Sequence, residues 1–423
     1  MSLLIKNAKI YKSDKFQDIY IENNTFKEIS DKIDVKADFN IDADGNLVSP
    51  PFLESHIHLD AVFTCGDPRF NESGSLIEGI NIWKEKKPSL TIEDIKSRAT
   101  KALKWQLANG ILHVRTHADI CDPELKAIKA LTEIRDKWKD LIKIEIVAFP
   151  QDGIYASHNG EEQMEKAMKL GADIVGGIPH HEMTREDGIK DIEFAFELAK
   201  KFNKKLDFHA DETDDEQSRF TETIAANAIK YEMFEKVSVS HATAMHSYNN
   251  AYAFKLMGYL KKSRINFITN PLTNITLQGR FDSYPIRRGL TRVKELNENG
   301  INVSVGYDCI LDPWYPLGDG NMINALSMML HACLMTGRDD LKNALDFITY
   351  NGAKTFNLPE NNYGIAEGKL ANILIFDKND PVSILRRPSL PLYVISNGKL
   401  AAKNVMELGK IIINEKEEKI DFK

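Results

Sequence analysis

The strongest constraint in this chain is a rhythm. Short apolar runs of strand character recur eight times, and each is followed by a charged segment of helical character. The runs are LVSPPFLESHIHL, ILHVRTHA, IKIEIVAF, ADIVGGI, KLDFHAD, VSVSHAT, INFITN and INVSVGYD. From the second onward they begin near residues 111, 143, 172, 205, 237, 265 and 301, close to the length of one strand, one helix and two short loops. Between them, stretches such as IEDIKSRATKALKWQLANG place apolar residues three and four apart and end in Gly, the pattern of an amphipathic helix with a C-terminal stop. Strands alternating with helices at this spacing imply βα units and a parallel sheet. Eight such units predict a closed (β/α)8 barrel of the TIM type.

The two ends of the chain have a different texture. Residues 3–50 read as short alternating runs (LLIKNAKIY, DIYIENN, FKEI, FNIDADGNLV) broken by Asn, Asp and Gly, the period of half-buried strands. ANILIFD, LYVISNGKLAA and KIIIN repeat that texture near the other end. Neither tail holds enough apolar residues for its own core. The expected organisation is therefore α/β: a barrel over residues 51–365, with a small β-sandwich domain assembled from residues 1–50 and 366–423. A formal net charge of −7 argues against a nucleic-acid-binding face, which would be basic. Four cysteines in 423 residues rule out a disulfide scaffold, Cys65, Cys121, Cys309 and Cys333 form no CxxC pair, and no apolar run approaches membrane-spanning length. The expectation is a soluble, cytoplasmic protein acting on a small molecule, with neither nucleic acid nor membrane as partner.

In a barrel of this kind functional groups gather at the C-terminal ends of the strands. The first run ends in His56-Ile57-His58, whose imidazoles share one strand face because side chains two apart point the same way. The fifth ends at His209, the sixth at His241 and the eighth at Asp308. An isolated His-x-His is weak evidence, because buried histidines are commonly satisfied by neighbours. The same caution assigns His113 and His117, near the end of the second strand, supporting rather than ligating roles. The coincidence of metal-capable groups at four strand ends is what points to one divalent cation. Three imidazoles and a carboxylate suit Zn²⁺ or Fe²⁺ and leave a position for water. Glu212, three residues past His209, reads either as a helix N-terminal carboxylate favoured by the macrodipole or as an acid–base group.

The blocks PPFLESHIHLD, LKWQLANGILHVRTH, VAFPQDGI, HADETDDEQSRF, SHATAMHSYN, NPLTNITLQGRFDSYPIRRGLTRVKE and GYDCILDPWYPLG resemble the amidohydrolase superfamily, and within it the bacterial cytosine deaminases, over about residues 50–320. The resemblance implies a mononuclear site with His56, His58, His209 and Asp308 as metal ligands and His241 as the imidazole contacting the hydrolytic water. It implies Glu212 as the proton shuttle to the ring nitrogen, Gln151 reading the amide-like edge of the base, and Trp314 as the wall covering it. Binuclear relatives place a carboxylated Lys at the end of strand four; here that strand runs Ile178-Pro179-His180-His181-Glu182, so one metal is expected. The H-x-E with P-C-x-x-C pattern of the other zinc deaminases does not occur. A homo-oligomer and a free nucleobase substrate are further implications.

One departure stands out. Where the family reads Gly-His-Asp-Asp, this chain reads Gly306-Tyr307-Asp308-Cys309. The resemblance places that second carboxylate beside the amino and C5 edge of the pyrimidine, and a thiol there removes a charge and some bulk, which lowers the cost of burying an apolar substituent such as a methyl group. The activity expected is therefore hydrolytic deamination of cytosine, or of a 5-substituted cytosine such as 5-methylcytosine, with isoguanine as the alternative amino-heterocycle. A barrel without catalysis, serving only as a binding module, would lack ligand positions that are all present here.

Overall fold

The computed structural model describes residues 2–359, 362–405, 410–413 and 416–419. By internal packing the chain divides into two compact units, Phe52–Gln106 with Ile111–Pro359, and Met1–Pro51 with Leu107–Gly110 and Glu360–Lys423.

The larger unit is a barrel of eight parallel strands: β1 Phe52–Ile57, β2 Ile111–Asp119, β3 Lys143–Phe149, β4 Ile174–Gly177, β5 Lys205–Ala210, β6 Val237–His241, β7 Asn266–Thr269 and β8 Val303–Val305. Each strand pairs with the next in chain order. A parallel bridge between Ile57 and Asp308 closes the ring, with Asp308 N donating to His56 O at 2.8 Å and His58 N to Asp308 O at 3.2 Å. The expected strand starts lie within about two residues of these ends. The strands are buried on both faces, as a sheet wrapped by helices requires; every residue of β2 is buried. The predicted helix near 92–108 is a helix over Ile92–Ala108.

Two details differ from the sequence reading. The run LVSPPFLESHIHL is not one strand: Leu47–Ser49 pairs within the other unit, beside Ile10 and Ile375, and Pro50-Pro51 separate it from β1. Two consecutive prolines cannot donate to a ladder, so the strand breaks there. A helix at Leu76–Lys86, capped by the Ser75 side chain accepting from Glu78 N, also lies between β1 and the Ile92–Ala108 helix. It shows weak sequence periodicity because Leu76, Ile77 and Ile80 line a cavity while Ile82 and Trp83 are buried.

The second unit joins strands from both chain ends in one eight-stranded sheet, to which the N-terminal end contributes Ser2–Ile10, Phe16–Glu22, Thr25–Ser30, Phe39–Asp42 and Leu47–Ser49. Ile373–Ile375, Tyr393–Ser396 and Lys399–Lys403 come from the other end. Their common core includes Leu3, Ile5, Ile19, Ile21, Phe26 and Val48 from one end with Ile373, Ile375 and Ile395 from the other. Neither tail has that core alone, as their composition implied. Lys410–Ile413 pairs with Lys416–Lys419 in a separate hairpin. Asn414 of the KIIIN run, with residues 406–409, 415 and 420–423 of the C-terminal piece, lies outside the described residues.

Candidate metal centre and substrate cavity

The strand ends bring the predicted groups together. Ligand atoms of His56, His58 and His209 lie within 4.8 Å of one another, as do those of His56, His241 and Asp308. His58 Nε2 and His209 Nε2 are 3.2 Å apart, and Asp308 Oδ1 is 3.5 Å from His56 Nε2 and 3.6 Å from His58 Nε2. Two donors each about 2.1 Å from a tetrahedral cation lie about 3.4 Å apart, which these spacings match. His56 Nε2 is buried with no hydrogen-bond partner. Burial and the neighbouring imidazoles drive His56, His58 and His209 well below the ordinary histidine range, so they are neutral and their lone pairs are available. Burial also pushes Asp308 up to about 6, with His241 opposing and Glu212 adding to the rise. Neutral imidazoles and a carboxylate reluctant to ionise, converging on one point, are a donor set that fits a divalent cation.

Beside this cluster, Glu212 Oε1 lies 3.1 Å from His241 Nδ1. Asn274 Nδ2 donates to the same oxygen at 3.1 Å and sits 3.0 Å from the imidazole nitrogen. Burial alone would favour the neutral forms of both partners. Their mutual attraction outweighs it, holding Glu212 below and His241 above their usual ranges. His241 (φ 68°) and Asp308 (φ 72°) both have left-handed backbone, a strain of order 1 kcal/mol each for a non-glycine residue, of the kind held at functional sites.

All of this opens on a cavity of about 850 Å³ lined by His58, His209, Glu212, His241 and Asp308 together with Gln151, Cys309 and Trp314. His56 lies beneath it, fully buried. Gln151 follows β3 directly. Its turn is pinned from below by Glu182, whose carboxylate accepts from Ile154 N at 2.6 Å and Ala156 N at 2.7 Å. Trp314 is held over the cavity by Asp312, which accepts from Trp314 N and Tyr315 N at 3.0 Å each. Its indole packs so close to the Leu76–Lys86 helix that a Cβ on Gly79 would lie 2.5 Å from Trp314 Cδ1. Cys309 is buried (2% exposed). Burial, Asp308 and Asp312 raise its thiol well above the usual range, so a neutral sulfur faces the cavity.

His56, His58, Gln151, His209, Glu212, His241, Asp308, Cys309 and Trp314 are thus at this mouth or directly under it; His113 is not, because it is the third residue of β2, pairs with Lys143 at the start of β3 and so lies toward the opposite end of the barrel. Several contributors were given no role by the sequence. Asn274 and Asn270 belong to the NPLTN run; the Asn270 amide is 3.2 Å from His241 Nε2. Their roles come from the turn after β7 (helix Pro271–Leu277), not from any spacing. His180 and His181 end β4 in a short turn, Pro179–His181, and also line the cavity; position at a strand end was the one available clue. His117 is fully buried, with its ring centroid 4.0 Å from that of His56 and Nε2 3.5 Å from Asp207 Oδ1.

A closed parallel barrel with this donor set at the strand ends defines a metal-dependent hydrolase class, and the family model described as "Amidohydrolase family" matches residues 40–402; the chain belongs to that family. Within it, the chain is similar to 5-methylcytosine deaminase from Klebsiella pneumoniae. The crystal structure liganded with 5-fluorocytosine shares 45% identity and a TM-score of 0.93, covering 96% of this chain and 98% of that one. The structure liganded with phosphonocytosine shares 44% identity, again with a TM-score of 0.93; it covers 97% of this chain and 100% of that one. N-isopropylammelide isopropyl amidohydrolase from Pseudomonas sp. (strain ADP) is 29% identical over 412 residues, 95% of this chain and 97% of that protein.

Proposed function

We propose that this chain hydrolytically deaminates a free aminopyrimidine, 5-methylcytosine to thymine and cytosine to uracil, with release of ammonia. The observation that carries the reading is the neutral, buried Cys309 in the same cavity as the Glu212–His241 pair, in a chain 45% identical to a 5-methylcytosine deaminase over nearly its whole length.

His56, His58, His209 and Asp308 would hold one divalent cation, Fe²⁺ or Zn²⁺ by their donor types, which when bound supplies hydroxide at neutral pH by lowering the pKa of water from about 16 toward 7. Gln151 offers a paired donor and acceptor to the amide-like edge of the ring, and Trp314 covers its face. Glu212, ionised in the free site, takes one proton from the attacking water and delivers it to N3. That makes C4 electrophilic, and the proton stays on N3 in the product. Oxygen bonds to C4. The remaining water proton passes through His241 and Asp308 to Glu212 and then to N4, the C4–N4 bond breaks, and ammonia departs. Atoms balance: base plus water gives the oxo-base plus ammonia.

A second reading has one observation in its favour: a cavity of about 850 Å³ has room for a bicyclic amino-heterocycle such as isoguanine. Ammonia release from a panel of aminopyrimidines and aminopurines separates the two. The proposal expects 5-methylcytosine or cytosine to give the highest kcat/KM, and turnover of purines alone would overturn it. No helix among the described residues is long and apolar enough to cross a membrane. A homo-oligomeric state rests on the family resemblance.

A further inference from the structure

Beneath the metal-capable cluster runs a buried hydrogen-bond relay whose proton positions are fixed by elimination. His56 Nδ1 is 2.9 Å from Ser240 Oγ, and Ser240 Oγ donates to Asp207 Oδ1 at 2.9 Å. The other oxygen, Asp207 Oδ2, accepts from Arg115 Nη1 at 2.9 Å. Ser240, Asp207 and His56 are fully buried, and Arg115 is 1% exposed. Arg115 also reaches Glu145, Ser238 Oγ and the Thr355 carbonyl, so its guanidinium is held in place. Asp207 is paired as an acceptor: its Oδ2 takes the Arg115 guanidinium at 2.9 Å in a fully buried ion pair, and a guanidinium carries its protons permanently.

The chain of donors then has one solution. An ionised carboxylate only accepts, and a guanidinium only donates. The single hydroxyl proton of Ser240 therefore points at Asp207, leaving the Ser240 oxygen to accept from His56. His56 must carry its proton on Nδ1, and its Nε2 presents a lone pair toward Asp308 Oδ1 at 3.5 Å.

We propose that Asp207, acting through Ser240, sets the tautomer of His56 and so makes it a competent cation ligand. The inference rests on the metal site of the proposed function. Both are positioning residues, and the relay makes a prediction that steric support alone does not. In Asp207→Asn the amide oxygen turns to Arg115, which can only donate, and the amide NH₂ turns to Ser240. The Ser240 oxygen then accepts from that amide, and its own proton is directed at His56 Nδ1. Nε2 becomes the protonated nitrogen and cannot ligate. Ser240→Ala, by contrast, removes a bond without imposing the wrong tautomer. Adding Ser240→Ala to Asp207→Asn removes the misdirected donor, so the double variant should bind a cation better than Asp207→Asn alone.

The test is competition of the full-length protein with a chelator for Zn²⁺, together with ¹⁵N spectra of the histidine rings in the metal-free protein. Ser240→Ala is expected to weaken Zn²⁺ retention about tenfold and Asp207→Asn about a hundredfold, the range for groups that orient metal-bound histidines, with the double variant returning toward Ser240→Ala. The His56 ring should be Nδ1-protonated in wild type, a reading that stands even if Asp207→Asn does not fold. A double variant as weak as or weaker than Asp207→Asn, or a wild-type His56 protonated on Nε2, would overturn the relay while leaving the metal site intact. Wild type that loses Zn²⁺ as readily as His56→Ala would overturn the metal site itself, and the relay with it.

Discussion

Replacing Cys309 with Asp probes the feature by which this site should tell 5-methylcytosine from cytosine. The thiol lies within hydrogen-bond reach of Asp312 and Thr273, and burial with Asp308 and Asp312 nearby keeps it neutral. Asp312 is itself pushed up to about 7, chiefly by burial, so this corner already resists negative charge. A carboxylate at 309 would add a third acid to it and would need solvation that a substrate methyl group removes. A buried methyl contributes about 1 kcal/mol of transfer energy, and desolvating a polar neighbour adds about 1 to 2 kcal/mol. The discrimination at stake is therefore about 2 to 3 kcal/mol, a factor of about 30 to 160. The assay is ammonia release from 5-methylcytosine and cytosine, read as the ratio of their kcat/KM values. Cys309→Asp should lower that ratio by a factor in this range. Cys309→Ser, of similar size and neutral, should change it by less than about fivefold, since it loses only polarisable surface. A ratio unchanged in Cys309→Asp would refute the substituent argument and leave deamination standing.

Glu212→Gln keeps the shape and the Asn274 contact but cannot move a proton; kcat should fall about 10²- to 10⁴-fold, while binding of an unreactive base analogue, measured by calorimetry, holds. Gly79→Ala favours the Leu76–Lys86 helix by about 1 kcal/mol but sets a methyl 2.5 Å from Trp314 Cδ1, an overlap that costs about 1 to 3 kcal/mol; Tm should hold or fall slightly while KM worsens, and an unchanged KM would show that Trp314 does not wall the substrate. Arg115 and Lys205 outweigh the effect of burial on Glu145 and hold it below its usual range. A carboxylate depressed in the folded state adds stability above its unfolded pKa, about 4.3, that is lost as pH falls through the lower folded value. Urea unfolding of Glu145→Gln and wild type should therefore show a gap at pH 7 that narrows below about pH 4. A constant gap would mean that Glu145 acts by shape alone.

Much of this protein is written in local pattern. Strand–helix alternation needs only periodicity and turn residues, so β2, β5 and β6 begin at the residues where their apolar runs begin. Because a barrel delivers every strand end to one face, His56, His58, His209, His241 and Asp308 could be placed at a common mouth before any coordinates. Cys309 stood out for the same reason, as a neutral side chain where the resemblance leads one to expect a charge. What lies between strands distant in sequence was not legible. Whether Asn274 reaches Glu212, whether Gly79 makes way for Trp314, and which way the Ser240 proton points depend on separations of about 3 Å between segments 33 to 235 residues apart. No periodicity encodes such distances; they are set when the closed ring packs its interior. The chain's own pattern determines that a cation-binding, carboxylate-assisted site can exist, and only tertiary packing decides which protons its buried side chains carry.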